Sequence, residues 1–175
     1  EEPMDLIIKA AGMMVESEFI QKDNDILIRL FGGLQITTPK GVITEADLNS
    51  LKLVRLIAYL ALNGKYPSPI RDIVNAVWPE GDADLDGKNL KYLVYRLQRI
   101  FSLISDHRLI ESTGNGYRLN TELNVILDVR IFEEYWRQAQ ITSDPYAKGC
   151  LLKKAMELYK HGVLPSLAGE QWIMP

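Results

Sequence analysis

Lys88, Lys91, Tyr92, Tyr95, Arg96 and Arg99 lie close together in one stretch of this 175-residue chain, with no acid among them after Asp86. Lysine and arginine grip phosphate oxygens, and arginine also reads the hydrogen-bonding edges of bases. A tyrosine offers a hydroxyl to phosphate and a ring to a thymine methyl. Read this way, Tyr92, Tyr95 and Arg96 are candidates for base contact. Lys88, Lys91 and Arg99 are candidates for backbone contact, joined by Arg108 and Arg118 further along. The bland reading is a solvated helix face whose tyrosines pack on neighbours, and basic helix faces are common. What decides between the two is the frame that holds the stretch.

Leu90, Val94, Leu97 and Phe101 recur at helical spacing, and Leu93 and Ile100 widen that apolar stripe. The helix expected over 86–102 therefore turns its cations and tyrosines away from the core. Upstream, Asp25–Phe31, Leu34–Thr38 and Val42–Ile43, separated by Gly32-Gly33 and Pro39-Lys-Gly41, predict a small antiparallel sheet. Leu48 and its neighbours suggest one more short strand. A first helix begins at Ser50, a cap residue, carries Leu53, Leu56, Ile57, Leu60 and Ala61 on one face, and ends at Asn63-Gly64. Ser68-Pro69 reads as a cap and first-turn proline of a second helix, with Ile70, Ile73, Val74 and Val77 inside and Trp78-Pro79 as its stop. Glu80 to Asp86 is an acidic loop in which Asp84 or Asp86 could cap the third helix. Arg108–Ser112 and Tyr117–Asn120 flank Thr113-Gly-Asn-Gly116, a hairpin signal. From Asp128 the pattern changes to two helices. One has Phe132, Tyr135, Trp136 and Ala139 on a face. The other spans 147–160 with Leu151, Ala155, Leu158 and Tyr159, and Thr142-Ser-Asp-Pro145 joins the pair. Such a helical hairpin buries little alone and usually belongs to an array.

The expected class is α+β. It consists of a winged helix-turn-helix with an N-terminal antiparallel sheet, three helices and a C-terminal β-hairpin wing, followed by an α-helical hairpin. The expected divisions are a helix or linker over 1–24, a winged-helix domain over 25–122 and a truncated helical-repeat domain over 123–175. In such a fold the second helix of the helix-turn-helix enters the major groove.

Composition narrows the classes. Apolar residues make up 47% of the chain, enough for a core. The net charge of −3 counts mildly against nucleic acid. Between Lys88 and Arg118, however, the acids are only Asp106 and Glu111, so that stretch is locally basic. One cysteine excludes an internal disulfide and fits a reducing, cytoplasmic setting. Two histidines and that cysteine are too few for a standard zinc site, so no metal or other cofactor is expected. No apolar run reaches a membrane span, and the apolar segment from Met4 to Phe19 lacks the pattern of a signal peptide. The chain opens at Glu1 rather than at a methionine, which reads as a piece of a longer protein. No phosphate loop, nucleophile elbow or metal-spaced carboxylate pair is present, so no enzyme is expected.

Residues 25–120 resemble the winged-helix effector domain of OmpR-type response regulators, and more closely the SARP family of bacterial transcriptional activators. The residues that carry the likeness are Leu30-Phe-Gly-Gly-Leu34, Ala76-Val-Trp-Pro79, Asn89-Leu90, Tyr95-Arg-Leu-Gln-Arg99 and Gly116-Tyr-Arg-Leu119. Residues 125–175 resemble the start of the bacterial transcriptional activator domain, which is similar to tetratricopeptide repeats. There the carriers are Leu127-Asp128, Phe132-Glu133, Leu158-Tyr159, Leu164-Pro165 and Gln171-Trp172. The resemblance implies double-stranded DNA as partner, with the 86–102 helix in the major groove and the 108–119 wing on the adjacent minor groove or backbone. It also implies RNA polymerase contact through the 79–85 loop, by Glu80, Asp82 and Asp84. A homodimer on tandem sites is compatible with it. The sequence departs from the family at two places. The wing tip is neutral, and Gln98 stands where an arginine is usual.

A second reading has the winged helix as a protein-interaction module that has lost DNA binding. A third has Tyr92 and Tyr95 buried between two copies of the chain. Trp78 and Trp136 are expected in the core, Trp172 as a packing residue, His107 as an exposed turn residue, and Cys150 buried.

Overall fold

A computed structural model of the chain describes residues 20–81, 87–159 and 161–173. The segment 1–19, with the helix expected there, lies outside the described residues. Strand β1 (Asp25–Arg29) pairs antiparallel with β2 (Gln35–Thr38), and β2 with β3 (Gly41–Thr44). Ile26 through Ile28 are all buried rather than alternating. Strand β1 is covered on both faces, which removes the usual inside–outside rhythm.

The expected strand around Leu48 is instead a helical turn, α1 (Glu45–Leu48). Thr44 donates from both its backbone amide and its hydroxyl to the Asp47 carboxylate, each at 2.8 Å, closing a capping turn. Asn49 ends it with φ 44°, a left-handed conformation that asparagine tolerates. Helix α2 (Leu51–Asn63) follows, with the Ser50 hydroxyl accepting from the Leu53 amide and Gly64 at φ 66° as its stop. Its Leu53, Leu56, Ile57 and Leu60 side chains are fully buried and centre the core. Each contributes about 1.5–3 kcal/mol relative to an exposed side chain.

Ser68 is not the helix cap, and Pro69 is not the first helical residue. Ser68-Pro69 forms strand β4 (Ser68–Pro69), Pro69 takes the N-cap position of the next helix, and the Ser68 hydroxyl accepts from the Asn63 side-chain amide at 2.9 Å. Helix α3 (Ile70–Val77) starts directly after it and ends at Trp78, a core residue. Helix α4 (Lys88–Phe101) has Gly87 at its N-cap position with φ 69°. Asp84 and Asp86, expected as caps there, lie outside the described residues.

A hairpin of β5 (Ile110–Thr113) and β6 (Gly116–Leu119) turns through Gly114 and Asn115, and β4 joins it in the order β4-β6-β5. The chain then returns to the first sheet. Strand β7 (Asn124–Leu127) lies parallel to β1, giving the order β3-β2-β1-β7. Helices α5 (Asp128–Ile141) and α6 (Pro145–Leu158) form the helical hairpin, with Asp144 capping α6 and Pro145 opening it. Tyr135, Ala155 and Leu158 make its small core. Trp136 and Cys150, expected inside, are exposed, Trp136 by 50%. Two helices alone bury only one stripe each, so residues on the outer face stay in solvent.

Asp128 ties the halves together. Its buried carboxylate accepts from the Leu30 amide at 2.9 and 3.0 Å, from Phe31 at 3.0 Å and from Val129 at 2.8 Å. Desolvation raises its pKa, and these backbone donors oppose that rise. After α6 the chain crosses back over the first sheet. Leu164 donates to the Leu30 carbonyl at 2.8 Å, and Leu164 and Leu167 enter the main core. Trp172 packs edge-on to Tyr59, with ring centroids 5.6 Å apart. Among the described residues, no helix is long and apolar enough to cross a membrane.

Candidate nucleic-acid interface

Helix α4 is held by one face. Leu90, Leu93, Leu97 and Phe101 are buried, and Val94 and Ile100 are half-buried beside them. At 3.6 residues per turn, Lys88, Tyr92, Tyr95 and Arg99 fall on the opposite side in one ridge. Lys91 flanks that ridge on one edge and Arg96 on the other. Tyr92 is 66% exposed and Tyr95 59%, and Lys88, Lys91 and Arg99 are exposed with them. Two large rings left in water on a helix with a fully packed inner face have no part in this chain's core. No ion pair among the described residues holds Lys91 or Arg99.

Arg96 departs from the ridge. It is half-buried, and its Nη2 points back toward the Leu48 carbonyl at the end of α1, 3.4 Å away. A bond of that length is at the weak limit. Gln98, where the resemblance leads one to expect an arginine, has a structural task. Its side-chain oxygen accepts from the Leu109 amide at 2.9 Å, so it fastens the base of the hairpin to α4.

The acids of this stretch are both paired. Asp106 bonds Lys40 in the β2–β3 turn, which lowers the pKa of Asp106. Glu111 accepts from Arg118 Nε at 2.6 Å across the hairpin, a bond that holds the Glu111 carboxyl below its usual range. Glu111 and Arg118 are direct cross-strand partners. Two residues symmetric about a two-residue turn must face each other, so the spacing 111–118 around Gly114-Asn115 already signals this pair. Arg118 is thereby partly neutralised, whereas Arg108 is exposed at the foot of β5. His107 is half-buried rather than exposed.

The hairpin is braced along β6. Asn115 accepts from the Ile70 amide at 3.2 Å, and Gly116 faces Pro69. A Cβ on Gly116 would stand 1.8 Å from the Ser68 carbonyl oxygen, so only glycine permits this approach. Of the acidic loop, Glu80 is exposed, while Asp82 and Asp84 lie outside the described residues. No group of metal-binding side chains occurs among the described residues.

This architecture is mixed α and β, a strand-built platform with a helix presenting a basic, tyrosine-bearing ridge beside a braced hairpin. Among solved structures, it is similar to EmbR of Mycobacterium tuberculosis, solved in complex with a low affinity phosphopeptide. The two agree with a TM-score of 0.65 at 20% sequence identity, over 85% of this chain and 39% of that chain. At that identity the likeness is one of fold, and this chain spans about two-fifths of the other's length. No protein-family model and no curated protein matches the sequence.

Proposed function

We propose that this chain is the DNA-binding part of a bacterial transcription regulator of the SARP type. Its sheet, helices α2 to α4 and β5–β6 hairpin act as a winged helix. Helix α4 lies in the major groove and the hairpin runs along the flanking minor groove or backbone. The observation that carries this reading is the α4 ridge. Lys88, Lys91, Tyr92, Tyr95 and Arg99 are exposed together, while Asp106 and Glu111 are engaged elsewhere.

Phosphate contact supplies affinity and base contact supplies choice. Lys88, Lys91, Arg99 and Arg108 are assigned to phosphates. Tyr92 and Tyr95 are assigned to bases. Arg96 joins them by exchanging its weak bond to Leu48 for a base edge. Arg118 reaches the backbone only by leaving Glu111. The Glu80–Asp84 loop, between the two helices of the helix-turn-helix, is the proposed polymerase contact, and copies bound to tandem sites are compatible with this placement. In vitro selection from a random duplex pool tests the reading. Tyr95→Ala and Arg96→Ala should each change the selected sequence and cost about 1–3 kcal/mol on it. If the pool yields no enriched sequence with the unaltered protein, sequence-specific binding fails.

The second reading, an interaction module without DNA binding, draws on the Arg118–Glu111 pair and the net charge of −3. It expects no retention of duplex DNA even at low salt.

A further inference from the structure

The hairpin tip is neutral, yet the residue that braces it is followed directly in sequence by a cation. Ile70, the first residue of α3, sits at a three-way junction. Its amide donates to the tip carbonyl of Asn115 at 3.2 Å, and its Cγ2 stands 3.2 Å from where a Cβ on Gly87 would lie. One residue therefore touches the hairpin tip and the start of α4 together. Arg71 follows Ile70 on the exposed first turn of α3, and no hydrogen bond or ion pair among the described residues occupies it. Asp72, next in sequence, projects about 100° further round the helix. The first helix of a helix-turn-helix crosses the phosphate backbone while the second reads the groove.

We propose that Arg71 is a DNA phosphate clamp, and that with Lys88 at the start of α4 it grips the strand between the major groove and the hairpin. In this arrangement the hairpin tip positions α3 and leaves the charge to Arg71. Neither Gly114 nor Asn115 offers a cation, and Arg118 is held by Glu111 at 2.6 Å. The inference rests on the DNA-binding reading above, and it adds a contact outside α4 and outside the hairpin.

The test is the salt dependence of binding to a mixed-sequence DNA duplex, read by fluorescence anisotropy, for the unaltered chain, Arg71→Ala, Arg71→Lys and Arg99→Ala. Circular dichroism melting shows that each variant is folded. Removing one phosphate-binding cation lowers the slope of log affinity against log salt by about one unit. Arg71→Ala should therefore lower the slope by about one unit, Arg71→Lys should keep it, and neither should move the melting curve. If Arg71→Ala keeps the full slope while Arg99→Ala lowers it by about one unit, the clamp is overturned and the α4 reading stands. If the unaltered chain shows no salt-dependent binding at all, the DNA reading itself is overturned and the clamp with it.

Discussion

Helix α4 and the β5–β6 hairpin are alike in the sequence in one respect, since each carries cations expected to contact DNA. Folded, they are opposites. The α4 ridge keeps its tyrosines and Arg99 in solvent, and the core contacts of that helix lie wholly on the other face. The hairpin's polar groups are engaged by partners within the fold. Arg118 is bound to Glu111, Leu109 to Gln98, Asn115 to Ile70, and Gly116 lies against Ser68. Positive charge in a sequence marks a binding surface only where the fold leaves it unengaged, and burial and pairing decide that.

The largest effects should come from breaking what holds the open helix in place. Asp128→Ala strands the Leu30, Phe31 and Val129 amides in the interior, and chemical denaturation should show a loss of about 3 kcal/mol. Gly116→Ala forces β6 away from Ser68 and should cost about 2 kcal/mol, with DNA affinity falling alongside as Ile70 and α3 shift. Arg99→Ala is the converse case. It should leave the melting temperature unchanged and weaken binding to all duplexes similarly.

A smaller effect sharpens the comparison. Glu111→Gln should release Arg118, raising non-specific DNA affinity and steepening the salt slope by about one unit, with little change in melting temperature. If the slope stays the same, the ion pair is not what separates the two regions. The smallest effect is on the helical hairpin. Arg137 and then Gln138 donate to Glu134, lowering its pKa from 4.5 to about 2. A lowered carboxylate pKa stabilises the fold above its unfolded value and loses that contribution as pH falls. Helix α5 should therefore lose stability between about pH 4.5 and pH 2, a loss followed by far-ultraviolet circular dichroism. Glu134→Gln should flatten that window.

Local pattern carried much of the fold. The apolar stripes of α2, α3 and α4 and the turn at Gly114-Asn115 were legible because each depends on neighbours in sequence, whereas the helix expected from residue 147 starts two residues earlier, at Pro145 behind the Asp144 cap. What depends on distant partners was not. Strand β7 pairs with β1 across nearly a hundred residues, and the short apolar run Val125–Leu127 carries no local sign of that. Ser68 has the look of a helix cap, but pairing with β6 draws Ser68-Pro69 into a strand and moves the N-cap position to Pro69. Around Leu48, the Thr44–Asp47 capping turn outweighs the apolar residue that suggests a strand. Residue type alone puts Trp136 and Cys150 inside, and the two-helix unit has no second layer to cover them. In the candidate site, the ridge of α4 follows from spacing alone. The return of Arg96 toward Leu48 and the junction at Ile70 needed three dimensions, since each joins segments far apart in the chain.

The exposed ridge of α4 stands at the centre of the DNA-binding reading. Its most direct test is the salt slope of binding to a mixed-sequence duplex for the unaltered chain and for the double variant Lys91→Ala/Arg99→Ala. The ridge predicts steep salt-dependent binding whose slope falls by about two units in the double variant, with melting temperature unchanged. An equal slope in both proteins, or an unaltered chain that does not bind duplex DNA at low salt, would contradict it.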